Sequence, residues 1–183
     1  MQVNHLNKVL VKFSSIDFYM SSPYFQAFNN LVPLNKKDSR TIVFIDSSVD
    51  NCEDIAQQVI SSARVIIIGS ADDGVKEISK ILNASNCIEV HIFSSGFPGC
   101  MYLGRSELSL DTFRVYTLLL KSWFYRKRLP KSNSFAHRIH LYSKNLNVGD
   151  SGEEFTIKLS QLTKAKVCIS SNIADSVVLN DAD

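Results

Sequence analysis

Thr41-Ile-Val-Phe-Ile45, closed by Asp46-Ser-Ser48, is a short β-branched and aromatic run ended by turn residues, and it reads as a buried strand. The residues after it decide the fold. Cys52, Ile55, Ala56, Val59 and Ile60 fall at i, i+3, i+4, i+7 and i+8, which is one stripe of a helix. Arg64-Val-Ile-Ile-Ile68 repeats the strand signature up to Gly69, and Val75, Ile78 and Leu82 repeat the helical one behind Asp72, which the pattern makes the N-cap. Apolar strands alternating with amphipathic helices predict a parallel sheet covered on both faces and joined by right-handed crossovers.

The alternation continues to the C-terminus. Ile88-Glu-Val-His-Ile-Phe93 is a third strand, ended by the turn residues Ser94-Ser-Gly-Phe-Pro-Gly99. Met101–Leu103 and Glu107–Leu110 flank Gly104-Arg105 as a small hairpin, and Asp111 stands where it would cap a helix through Phe113, Tyr116, Leu120 and Trp123. A basic loop from Tyr125 to Arg138 leads to a fourth strand, Ile139–Tyr142. Ser151-x-x-Glu154 is a capping-box pattern ahead of the stripe Phe155, Leu159 and Leu162, Lys166–Ser170 is a fifth strand, and Val177–Leu179 reads as a weak edge strand. The expected fold is a three-layer α/β sandwich of flavodoxin-like type, with a mainly parallel sheet and one β-hairpin.

Composition fits that fold. The chain has 183 residues, 45% hydrophobic and 21% charged, with seven Gly and four Pro, so collagen-like and low-complexity classes fall away. No apolar run approaches the ~18 residues of a bilayer span, and Met1–Phe13 is too interrupted by Asn, His and Lys for a signal peptide. Cys52, Cys87, Cys100 and Cys168 lie far apart, with no CxxC pair and no zinc-finger spacing, so they read as free thiols and no metal or cofactor is expected. Free thiols favour the cytoplasm. Residues 1–40, with Phe13, Phe18, Tyr19, Tyr24, Phe25 and Phe28, are too aromatic for a disordered tail and form an extension expected to pack on the domain or a partner. The main α/β domain is then 41–183.

The net charge of +2 is unevenly placed. Lys121, Arg126, Lys127, Arg128, Lys131 and Arg138 fall in one stretch without an acid, which leaves the rest of the chain net negative. Trp123-Phe-Tyr beside Arg126, Lys127 and Arg128 suits an anionic partner such as nucleic acid, lipid or an acidic protein, and equally a helix end whose cations complement the macrodipole before Pro130 stops it. Ligands of doubly wound sheets bind beyond the carboxyl ends of the strands. Those loops here hold neither a GxGxxG nor a P-loop nor a GxSxG motif. Asp46 reads as a turn-capping residue in preference to a phosphoryl or metal acceptor.

Val43-Phe-Ile-Asp-Ser-Ser-Val49, Asp73–Ile78, Val90-His-Ile-Phe-Ser-Ser-Gly-Phe-Pro-Gly-Cys-Met-Tyr-Leu-Gly104, Ser109-Leu-Asp111, Leu141-Tyr-Ser-Lys-Asn145, Gly152–Phe155 and Leu162-Thr163 form an ordered series. Together they resemble the caspase-like, clan CD peptidase-like domain of unknown function found at the front of large bacterial surface and calcium-repeat proteins. The resemblance covers about 41–179 and leaves out 1–40 and the basic insertion at 124–137. It implies a caspase-like fold, and it allows export without an N-terminal signal. It also implies a His/Cys dyad after the third and fourth strands, where this chain has Ser95 and Lys144.

With both dyad positions substituted, the resemblance implies a pseudoenzyme that works as a protein-interaction or structural module through the former active-site rim. There Phe97 and Pro98 are either displayed to a partner or, for Phe97, folded back into the core. His91 matches a histidine inside the family's strand, expected to pack or to hydrogen-bond from a second layer. Two hydrolase arrangements compete: Ser95 with Lys144 as its base, or Cys100 with His137 or His140. An anion-binding adaptor acting through the basic segment is the remaining class.

Overall fold

The computed structural model describes residues 39–124 and 137–171. Its elements are β1 (Thr41–Asp46), α1 (Cys52–Gln58), β2 (Arg64–Ile68), α2 (Gly74–Asn83), β3 (Glu89–Phe93), β4 (Gly96–Phe97), β5 (Cys100–Leu103), β6 (Ser106–Ser109), α3 (Phe113–Ser122), β7 (Arg138–Tyr142), α4 (Gly149–Thr163) and β8 (Lys166–Ser170). Five strands form one parallel sheet in the order β2-β1-β3-β7-β8, the doubly wound order whose switch point lies between β1 and β3. The five strands and the four helices expected from the apolar pattern are there. No described helix is long and apolar enough to cross a membrane.

Strand alternation divides the core in two. Ile42, Phe44, Ile68, Val90, Ile92, Ile139 and Leu141 face one way and pack with Val75, Ile78 and Leu82 of α2, Phe113 and Leu120 of α3, and Phe155, Leu159 and Leu162 of α4. Val43, Ile45, Ile67, Phe93 and Tyr142 face the other way, where Cys52, Ile55 and Ala56 of α1 cover them. Helices therefore lie on both faces, and the architecture is a three-layer sandwich. Polar groups within the first core are paired with one another: the Trp123 indole N–H donates to Ser79 Oγ at 2.8 Å, and Ser79 Oγ donates to Val75 O at 2.6 Å.

Local details differ from the sequence reading. The Ser94–Gly99 turn contains β4, so the hairpin is in fact a three-stranded antiparallel ribbon, β4-β5-β6. Asp73 and not Asp72 caps α2, accepting from Lys76 N at 3.2 Å, while Asp72 Oδ2 accepts from Gly69 N and shapes the preceding turn. Helix α3 starts after Thr112, whose hydroxyl donates to Glu107 O, so Asp111 does not occupy the cap position. Val115 and Leu118 on α3 are 68% and 82% exposed, so that helix is not buried all round. Helix α4 begins at Gly149, which places Ser151 inside its first turn instead of at the cap. The extension 1–38, the basic segment with Arg126, Lys127 and Arg128, and Val177–Leu179 lie outside the described residues.

Candidate functional site

The carboxyl ends of the parallel strands gather the loops that follow β1, β2, β3 and β7. Asp46 closes β1 and is 2% exposed. Its Oδ1 accepts from Ser48 N at 2.9 Å and its Oδ2 accepts from Gly104 N, so both oxygens are used in tying the β1 turn to the ribbon tip. Gly104 has φ +59, and a Cβ there would collide with Asp72 O. Only glycine fits such a contact, and Arg105 N donates to Asp72 O at 2.8 Å beside it. Asp46 is thus a structural clamp, as its turn position suggests.

The ribbon stands on this rim. Phe97 is 47% exposed and Tyr102 40%, and their rings meet edge to face at 5.8 Å. Pro98 is exposed beside them. Phe97 does not fold into the core, because β4 pairs with β5 and points its side chain outward. Gly99 N donates to Leu146 O at 3.0 Å and fastens the ribbon to the loop after β7. The Ser95 hydroxyl pairs with that of Ser48 at 2.9 Å, and Lys144 is exposed. The hydroxyls of Ser94 and Ser143, at the ends of β3 and β7, are buried and have no partner among the described residues.

The Cys/His pairings are not assembled. Cys100 is 2% exposed in β5, and burial, with Glu107 beside it, pushes its thiol up to about 12. His137 sits at the opposite, amino edge of the sheet, stacked on Phe124 at 4.4 Å. His140 is held elsewhere, on the second sheet face.

That face carries a cluster the sequence reading did not assemble. Parallel pairing sets Glu89 beside Arg138, His91 beside His140, and Phe93 beside Tyr142. His91 and His140 stack with centroids 4.6 Å apart and planes within 7°, and Phe93 stacks on Tyr142 at 4.4 Å. His91 Nδ1 and the Tyr142 hydroxyl lie 3.1 Å apart, and His140 Nε2 lies 3.1 Å from Glu89 Oε1. Arg138 reaches the same carboxylate oxygen at 3.7 Å. His91 is 1% exposed, and burial, helped by neighbouring His140, pushes it down to about 3, so its ring stays neutral. The signal in the sequence is the period of two: Glu89-Val-His91-Ile-Phe93 and Arg138-Ile-His140-Leu-Tyr142 each alternate polar or aromatic with aliphatic residues.

Against known proteins, the profile of the family described as domain of unknown function DUF4347 matches residues 42–177. Caspase-1 from Spodoptera frugiperda, in its crystal structure, is similar at 13% identity with a TM-score of 0.32 over 62% of this chain, and the match spans half of the caspase chain. No curated protein matches the chain.

Proposed function

The chain belongs to the DUF4347 family of domains of unknown function, and from that premise we propose that it is a non-catalytic module that binds another protein through the β4–β5 ribbon. The observation that carries this reading is the exposed Phe97–Tyr102 pair, an aromatic contact displayed on a ribbon that Asp46 and Asp72 clamp to the sheet. Aromatic side chains held rigidly at a surface supply large contact area at little entropic cost, which is how interface hot spots are built. A nucleophile is poorly served on the same rim. The Cys100 thiol keeps its proton far above neutral pH, and among the described residues the Ser95 hydroxyl is engaged by Ser48 instead of a base.

Two measurements test the reading together. The full chain should leave fluorogenic Lys and Arg peptides uncleaved, and peptides selected from a display library for binding to it should lose at least tenfold in affinity on the Phe97→Ala, Tyr102→Ala double variant. Turnover that disappears in Ser95→Ala or Lys144→Ala would instead establish a hydrolase. Selected peptides indifferent to the double variant would remove the ribbon from the binding surface.

A further inference from the structure

We propose that Glu89, His91 and His140 bind a zinc-class divalent cation on the second face of the sheet. One donor atom from each of the three lies within 4.8 Å of the other two, although the histidines stand on different strands and far apart in sequence. Two imidazole nitrogens and one carboxylate oxygen are a donor set that suits zinc and the late first-row metals and serves calcium or magnesium poorly. Donors around a tetrahedral zinc sit roughly 3.3 Å apart, given bonds of about 2.0–2.1 Å. The edge between His140 Nε2 and Glu89 Oε1, at 3.1 Å, already has that length.

The surroundings are those of a ligand pair with outer support. Tyr142 engages His91 Nδ1, which fixes the ring and leaves Nε2 for an ion, the arrangement that orients metal-bound histidines generally. Glu89 and His140 side chains are 26% and 20% exposed, so an ion has a route in from their side. The two rings are nearly parallel, so their in-plane lone pairs do not converge as they stand. Coordination therefore turns half-buried His140 about its Cβ–Cγ bond while His91 stays on Tyr142. Arg138, whose side chain is 60% exposed, competes for Glu89 and is free to swing into solvent.

The test uses the full chain stripped with a chelator and titrated with Zn²⁺ against a chromophoric indicator, with Co²⁺ as a spectroscopic probe. One ion per chain is expected, held at least tenfold more weakly by Glu89→Gln and by His140→Gln, and the Co²⁺ spectrum should show nitrogen and oxygen ligation. These two sites are partly exposed, so circular dichroism of each variant establishes that the fold persists, which His91→Ala in the buried position would leave in doubt. Failure to retain Zn²⁺ at micromolar concentration would overturn the proposal, as would unchanged affinity in both variants. A sulfur-to-cobalt charge-transfer band would place the ion on a cysteine and overturn it as well.

Discussion

The two faces of the parallel sheet are cut from the same strands and have different chemistry. The face beneath α2, α3 and α4 is aliphatic and aromatic through its middle rows, from Ile42 and Phe44 on β1 to Ile139 and Leu141 on β7, with Arg64 and Asp46 only at strand ends. The other face changes composition as it crosses the sheet. On β2 and β1 it presents Val65, Ile67, Val43 and Ile45 beneath α1; on β3 and β7 it presents Glu89, His91, Arg138 and His140; on β8 it presents Lys166, Cys168 and Ser170. Strand alternation keeps the Glu89, His91, Arg138 and His140 side chains on one side, so these ionisable groups line up without entering the larger core. The first face holds the fold together, and the second is where the sheet has side chains to spare for binding.

The comparison breaks most directly by truncation. Phe44→Ala, at a fully buried position of the interior strand β1, should cost about 3–5 kcal/mol in urea denaturation, because the neighbouring helices collapse only partly into the cavity. His140→Gln, measured without added metal, should cost about 1 kcal/mol or less, since it removes a partly buried group whose partner Glu89 keeps some contact with solvent and with Arg138. Equal losses would make the histidine row a packing element like the aliphatic one. A smaller effect on the first face comes from its Trp123–Ser79 link. Ser79→Ala leaves the buried Trp123 indole N–H without its acceptor and should cost about 1–3 kcal/mol, whereas a loss under a few tenths would mean that the indole finds another acceptor.

The sequence makes the sheet legible and the second face only half so. The apolar runs of β1, β2, β3, β7 and β8 declare five strands, and the stripes Cys52-Ile55-Ala56 and Phe155-Leu159-Leu162 declare their helices, although α1 stops at Gln58 and leaves Val59 and Ile60, the rest of the first stripe, beyond it. Caps are less certain in a sequence because neighbours compete: Asp72 and Asp73 offer the same side chain, and the fold uses one for the turn and the other for the helix. Strand β4 hides between Ser95 and Pro98 because glycine and proline signal a turn, and its pairing with β5 is a tertiary gain. That the loops after β3 and β7 form the rim follows from strand ends, whereas the choice of Ser95 and Lys144 within them comes from the family resemblance. The histidine pair follows from neither, since His91 and His140 meet only because β3 and β7 are neighbours in the sheet, and periodicity carries no information on strand order.

Two thiols measure the gradient across the second face. Cys52 is 6% exposed at the start of α1, and burial, with Glu53 beside it, pushes its thiol up to about 12, while Cys168 on β8 is half-buried. Cys168 should react first with a thiol reagent at pH 8, with Cys52 protected until the protein unfolds. The linked stability has a definite sign. The folded state keeps the Cys52 proton that the unfolded state releases above about pH 9, so this stability is complete below pH 9 and falls by about 1.4 kcal/mol per pH unit above it, toward pH 12. Cys52→Ala should lack that component at pH 10. An identical alkaline slope in the variant would show that the thiol ionises in place.

The smallest effect gives the most specific reading of the polar rows. Arg138 and the proposed ion want the same oxygen of Glu89, and the guanidinium reaches it at 3.7 Å from a largely exposed position. An exposed pair of this kind is worth about 0.2–1 kcal/mol, and that is the free energy an incoming cation must displace, in addition to the repulsion of a positive neighbour. Arg138→Gln should therefore leave folding stability almost unchanged while tightening Zn²⁺ binding by about 1.4- to 5-fold, the same range of energies expressed as a ratio of affinities. Raising the salt concentration should shrink the difference, because the competition is between solvated charges. Weaker binding in Arg138→Gln would mean that the guanidinium orients the carboxylate for the ion instead of competing with it, and the row would then be an ion pair first and a metal ligand second.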